Sequence, residues 1–127
     1  MEKKRHTTVS GEDYLEVILV LYKKMGMVRS VDVARNMGVS KLSVSHAVTT
    51  LREDGFLIMD EDFFFHLTDI GWEVTERTYE KHQFFTNLLT EAGVDRGTAE
   101  RDACRMEHVI SRKSFEYLWD TYSKHKD

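Results

Sequence analysis

Apolar side chains recur at helical spacing through most of this chain, and two short runs interrupt the rhythm. From Gly11 to Met25 the apolar positions Tyr14, Leu15, Val17, Ile18, Val20 and Leu21 follow acidic residues in the first turn, as a helix N-terminus favours. Ser10 is placed to cap this helix. After a break at Gly26, Ser30 to Met37 forms a second helix, Gly38-Val39-Ser40 a tight turn, and Lys41 to Asp54 a third helix closed by Gly55. Val33, Ala34 and Met37 face Val44, Val48 and Leu51 across the turn, and Gly38 permits its left-handed backbone. The outer face of the third helix carries short polar groups: Ser43, Ser45, His46, Thr49 and Thr50.

The interruptions are Phe56-Leu57-Ile58-Met59 and Phe63-Phe64-Phe65-His66-Leu67, which flank Asp60-Glu61-Asp62 and predict a β-hairpin. Three helices followed by such a hairpin make a winged helix-turn-helix. A long helix then starts at Thr68-Asp69-Ile70-Gly71, runs to about Ala92, and carries Phe84, Phe85, Leu88 and Leu89 on its distal apolar side. Gly93 ends it, and shorter helices follow over Thr98 to His108 and Ser111 to Tyr122. Phe115, Leu118, Trp119 and Tyr122 form an aromatic stripe, the composition of a core or a dimer interface. The expected fold is mainly α: a winged helix-turn-helix over residues 1–70 with a small β-hairpin wing, then a helical domain over 71–127.

A chain of 127 residues can bury one core, or divide into two small lobes that lean on each other or on a second subunit, so a homodimer is expected. One cysteine and no proline exclude an intramolecular disulfide framework. No apolar signal region follows Met1 and no run is long enough to span a bilayer, which predicts a cytoplasmic protein without a membrane partner. The net charge of −4 argues against coating nucleic acid by bulk electrostatics, and moves attention to local patches. Lys3, Lys4, Arg5 and His6 make one such patch, a basic arm whose ordinary reading is a solvated terminus.

The densest chemistry is Cys104-Arg105-Met106-Glu107-His108, where positions i, i+3 and i+4 aim a thiol, a carboxylate and an imidazole from one helical face. Such a trio can hold a divalent transition metal if other segments add ligands. Asp13 and Glu16, three apart on the first helix, and His82 on the long helix bring the donors to six, enough for an octahedral set. Singly, each has an ordinary role: Asp13 and Glu16 complement a helix dipole, His82 sits at a surface, and Cys104 fills a small apolar space.

Taken together these motifs resemble the diphtheria toxin repressor and manganese transport regulator family of metal-dependent transcriptional repressors. The likeness is carried by Ser10-Gly11-Glu12-Asp13-Tyr14-Leu15-Glu16, by Asp54-Gly55-Phe56-Leu57-Ile58, and by Leu67-Thr68-Asp69-Ile70-Gly71. Lys81-His82 and Ala103-Cys104-Arg105-Met106-Glu107-His108-Val109-Ile110-Ser111 extend it, so that it spans about Thr8 to Tyr122. The resemblance implies a homodimeric repressor of metal homeostasis that binds a palindromic operator in double-stranded DNA when Mn2+ or Fe2+ is bound, with Zn2+ or Co2+ as further candidates. It implies metal ligation by Asp13, Glu16, His82, Cys104, Glu107 and His108. It implies DNA contact by the third helix, where Lys41, Ser43, Ser45, His46, Thr49 and Arg52 are the candidates, and a dimer interface built on Phe115, Leu118, Trp119 and Tyr122.

Four departures qualify the likeness. Asp13 and Glu16 resemble the manganese-responsive members, whereas Cys104 resembles the iron-responsive ones, a hybrid set. Thr86 and Glu100 stand where iron-responsive members build an ancillary site. Asp60-Glu61-Asp62 makes the wing tip acidic, which is expected to keep it off the DNA backbone. Ending at Asp127, the chain corresponds to the compact two-domain form. Two other readings stay open: a winged-helix regulator answering to another ligand or to oxidation of Cys104, and a metalloenzyme using an open coordination position to activate water. No separate general base or substrate loop supports the enzyme.

Overall fold

A computed structural model describes residues 9–123, so the basic arm at Lys3 to His6 lies outside the described residues. The elements are α1 (Val9–Met25), α2 (Ser30–Met37), α3 (Lys41–Glu53), β1 (Leu57–Met59), β2 (Phe65–Leu67), α4 (Asp69–Glu91), α5 (Arg96–Val109) and α6 (Arg112–Tyr122). They form two compact units, one ending at Glu76 and the other starting at Arg77.

In the first unit, Tyr14, Leu15, Ile18 and Leu21 of α1 pack with Val33 of α2, with Val44, Val48 and Leu51 of α3, and with Phe56, Leu57 and Phe65 around the hairpin. The turn between α2 and α3 is the expected one: Gly38 has φ 68°, and Ser40 caps α3 by accepting the Ser43 N–H at 3.1 Å. Ser10, expected to cap α1, instead lies inside its first turn, a place where serine is tolerated.

The hairpin is shorter than its apolar pattern suggests. Strands β1 and β2 pair antiparallel with Leu57 opposite Leu67 and Met59 opposite Phe65, while Phe63 and Phe64 fall in the loop. Asp60 is the reason: its Oδ1 accepts the N–H groups of Asp62 and Phe64 at 2.9 and 3.0 Å, and its Oδ2 meets His66 Nε2 at 2.9 Å. This folds the loop back and turns Phe63 to φ 69°, which no strand residue adopts. The same contacts, the one to His66 foremost, hold the Asp60 carboxyl below its ordinary range.

The start of α4 is locked to the hairpin. Thr68 donates its hydroxyl to Gly55 O at 2.6 Å and its N–H to Phe56 O at 3.1 Å, and its Oγ1 accepts the Gly71 N–H at 3.0 Å. Gly71 passes so close to Phe56 that an added Cβ would lie 2.1 Å from the Phe56 carbonyl oxygen. Trp72 then sets its ring edge-on to Tyr22 at 5.8 Å, and Val74 joins the core. These contacts carry the first unit into α4 beyond residue 70, where the pattern alone placed the boundary. Gly71→Ala forces backbone against backbone, so it is expected to destabilise the protein by about 1–3 kcal/mol; urea unfolding with an unchanged midpoint would contradict this.

The second unit is held by Phe85, Ala103 and Phe115, with Phe84, Leu88, Met106, Ile110 and Leu118 around them. Phe84 stands edge-on to Phe85 and Phe115 at 5.3 and 5.4 Å. Helix α5 begins at Arg96 rather than Thr98, because Asp95 accepts the Thr98 N–H at 3.0 Å and so caps it. Ser111 caps α6 in the same way through the Ser114 N–H.

Candidate metal centre and DNA-binding helix

Helix α5 aims Cys104, Glu107 and His108 from one face, and one ligand atom from each lies within 4.8 Å of the others. Cys104 is half-buried, and the Glu107 side chain is fully buried. From α4, His82 reaches Glu107: its Nδ1 lies 3.0 Å from Glu107 Oε1. Glu107 Oε2 lies 3.6 Å from His108 Nε2, beyond hydrogen-bond distance, and is buried with no hydrogen-bond partner.

A buried carboxylate oxygen without a donor is costly, and natural proteins rarely keep one. Here it stands beside a thiol and two imidazoles, a mixed sulfur, nitrogen and oxygen set that suits a divalent transition ion. The residues of the second unit therefore fit a metal. Asp13 and Glu16 are on α1 of the first unit, one helical turn apart. Of the two residues at the expected ancillary positions, Thr86 is buried with its hydroxyl unpartnered, and Glu100 is exposed and paired with Arg96 at 3.1 Å. Neither joins the cluster on α5.

On α3, Lys41, Ser43, Ser45, His46, Thr49 and Arg52 are all exposed, on the side opposite Val44, Val48 and Leu51. Thr49 and Thr50 donate their hydroxyls to Ser45 O and His46 O, at 2.9 and 3.3 Å, which leaves them as acceptors toward any ligand. Leu42 shares this surface at 67% exposure. It was not among the sequence candidates, yet it falls off the register of Val44, Val48 and Leu51, and that is a visible signal. In the aromatic stripe Phe115 is core and Leu118 half-buried, whereas Trp119 and Tyr122 are 40% and 48% exposed. Tyr117, at 67%, extends the exposed aromatic surface of α6.

Residues 6–62 match the model of the iron-dependent repressor N-terminal DNA-binding domain, and residues 68–126 that of the iron-dependent repressor metal-binding and dimerisation domain. The HTH-type transcriptional regulator MntR of Bacillus subtilis is 32% identical over 114 residues, 90% of this chain and 80% of that protein. This chain belongs to the iron-dependent repressor family. The transcriptional regulator MntR of Salmonella typhimurium is another relative, 34% identical over 83% of this chain and 67% of its own length. Among solved structures, the manganese regulator SloR superposes with a TM-score of 0.76 at 25% identity, over 87% of this chain and 52% of that one. IdeR of T. acidophilum gives the same TM-score and identity over 93% and 56%. As a family member the chain is a metal-dependent, DNA-binding transcriptional regulator with a dimerisation domain. The winged helix-turn-helix and the helical domain after it are those of the family, and among the described residues no helix is long and apolar enough to cross a membrane.

Proposed function

We propose that the chain is a cytoplasmic repressor of metal homeostasis whose homodimer binds a palindromic operator when Mn2+ or Fe2+ occupies a site made by Asp13, Glu16, His82, Cys104, Glu107 and His108. The observation that carries this reading is the buried, unpartnered Oε2 of Glu107 beside Cys104 and His108. A bound cation supplies the partner that Oε2 lacks, and His82, hydrogen-bonded to Oε1, holds the carboxylate in place. Asp13 and Glu16 give α1 a stake in the same ion, so metal favours the arrangement of the two units that satisfies every ligand. That is a population shift, and it sets the spacing of two α3 helices across the half-sites. Lys41 and Arg52 meet phosphate, and the short side chains between them meet base edges or phosphate. The chain binds and does not catalyse.

Chelation tests the reading. With the operator selected by this protein, anisotropy titrations at fixed salt are expected to show affinity falling at least about tenfold on removal of metal, because the carboxylates among the ligands then lack a counter-ion. Equal affinity with and without chelator would end the metal-activation reading and leave the fold untouched.

Cys104 sets the preference among ions, since a thiolate favours Fe2+, Co2+ and Zn2+ over Mn2+ relative to a carboxylate in the same place. Cys104→Glu is expected to move the ratio of Mn2+ to Fe2+ activation toward Mn2+, on the order of tenfold. Anaerobic activation curves that keep the same ratio in both proteins would remove Cys104 from the ligand set.

A further inference from the structure

Strand β1 has one paired side and one open side. Phe56 O accepts the Thr68 N–H, Ile58 lies opposite His66, and Asp60 donates its N–H to Phe64 O, so these residues turn their backbone groups toward β2. Leu57 and Met59, in alternation with them, aim theirs outward, and among the described residues none bonds to them there. The other edge of the hairpin is covered, since Phe65 donates its N–H to Val28 O at 2.8 Å. A groove of about 550 Å³ lies between β1 and the end of α3, lined by Thr49, Arg52, Glu53, Leu57, Ile58 and Met59. Natural proteins guard an open edge with charge, proline or a bulge. Leu57-Ile58-Met59 has none of these, and only its length of three residues keeps a pairing weak.

This edge is complementary to itself. In an antiparallel pair of two copies centred on Ile58, Leu57 of one copy meets Met59 of the other with the outward backbone groups facing, the hydrogen-bonded kind of pair. Ile58 then meets Ile58 in the closer kind of pair. That side chain is 55% exposed and outside the core of the first unit, so pairing covers apolar surface that the single chain leaves open. Arg52 and Glu53 are exposed on the groove, and neither has an ion-pair partner among the described residues. A two-fold axis offers each of them the opposite charge of the other copy. We propose that β1 pairs with β1 of a second copy, so that DNA-free repressor dimers associate through their wings and operator DNA releases them. Release follows because the groove takes in Thr49 and Arg52, and this part rests on the reading of α3 as the DNA-contacting helix.

Sedimentation velocity of the full chain with Mn2+, from micromolar to millimolar concentration, is expected to show species larger than the dimer, which operator DNA converts to DNA-bound dimers. Ile58→Lys sets two like charges opposite each other and is expected to weaken this association at least about tenfold. Its thermal midpoint should not change, because Ile58 lies outside the core, and Ile58→Val should associate as the wild type does. Amide exchange followed by NMR should slow at Leu57 and Met59 as concentration rises, and should ignore concentration in Ile58→Lys. The pairing is overturned if no species beyond the dimer forms, if Ile58→Lys associates as tightly as wild type, or if Leu57 and Met59 exchange at one rate throughout. Larger species that persist on the operator overturn the release. In that event, a Lys41→Ala chain with wild-type operator affinity shows that the reading of α3 has failed, and one with weakened affinity shows that the wing pairing leaves α3 open.

Discussion

Glu107→Gln is expected to lower metal affinity by about a hundredfold, or about 2.7 kcal/mol, and to abolish metal-dependent operator binding at ordinary metal concentrations. Glutamine keeps the shape and can still accept the contact that His82 makes to Oε1, but it removes the charge from a side chain that is fully buried. The effect on stability should therefore have opposite signs with and without metal. In the metal-free protein the substitution removes the charge from a buried carboxylate whose Oε2 has no hydrogen-bond donor, so the thermal midpoint should hold or rise. With metal, the wild-type chain gains stability by mass action and the variant does not. Calorimetric titration measures the first effect and thermal unfolding the second. A variant that binds metal as tightly as wild type would show that Glu107 is not a ligand, and a metal-free variant that unfolds earlier would show that the carboxylate has its partner without an ion.

Trp119→Ala is expected to weaken dimerisation by about 2 kcal/mol or more, roughly thirtyfold, and operator affinity with it. Trp119 rests on Phe84 and Phe115 at 5.8 and 6.0 Å, yet leaves 40% of its surface uncovered, with Tyr122 close to it in sequence and 48% exposed. A large ring that is anchored on one side and open on the other suits an interface hot spot. Phe115, fully within the core, supports this surface from beneath, so Phe115→Ala should unfold the second unit rather than merely separate subunits. Sedimentation at micromolar concentration with metal present decides the matter. A monomeric wild-type chain, or a Trp119→Ala chain that dimerises as tightly as wild type, contradicts the expectation.

Much of the chain was legible before any coordinates, because a helix writes its face into local spacing. The apolar periods of α1 to α3, the Gly38 turn, and the Cys104, Glu107 and His108 trio all depend on neighbours within a few residues, and all stand where the pattern puts them. What the pattern missed locally was which residues of capping type stand at a helix boundary. Asp95 and Ser10 are equally good capping residues by type, and only the backbone shows that Asp95 caps α5 while Ser10 lies inside α1.

The rest was decided by contacts distant in sequence. Periodicity places Glu107 on the inner side of α5, but the orphan state of its Oε2 and its pairing with His82, 25 residues away, depend on how α4 packs against α5. Spacing likewise lets Phe63 and Phe64 pass for strand, until the reach of Asp60 to His66 bends the loop and shortens β2. Gly71 reads as an ordinary helix residue until folding brings the Phe56 carbonyl oxygen to 2.1 Å from where a Cβ would stand, and contacts of this kind carry the first unit into α4. Within the aromatic stripe, sequence spacing cannot tell core from surface, and packing separates buried Phe115 from open Trp119. Sequence determined the elements and their faces, since those are local and repetitive; tertiary structure alone decided which polar atoms lose water and which apolar ones keep it, since that depends on segments the chain brings together only by folding.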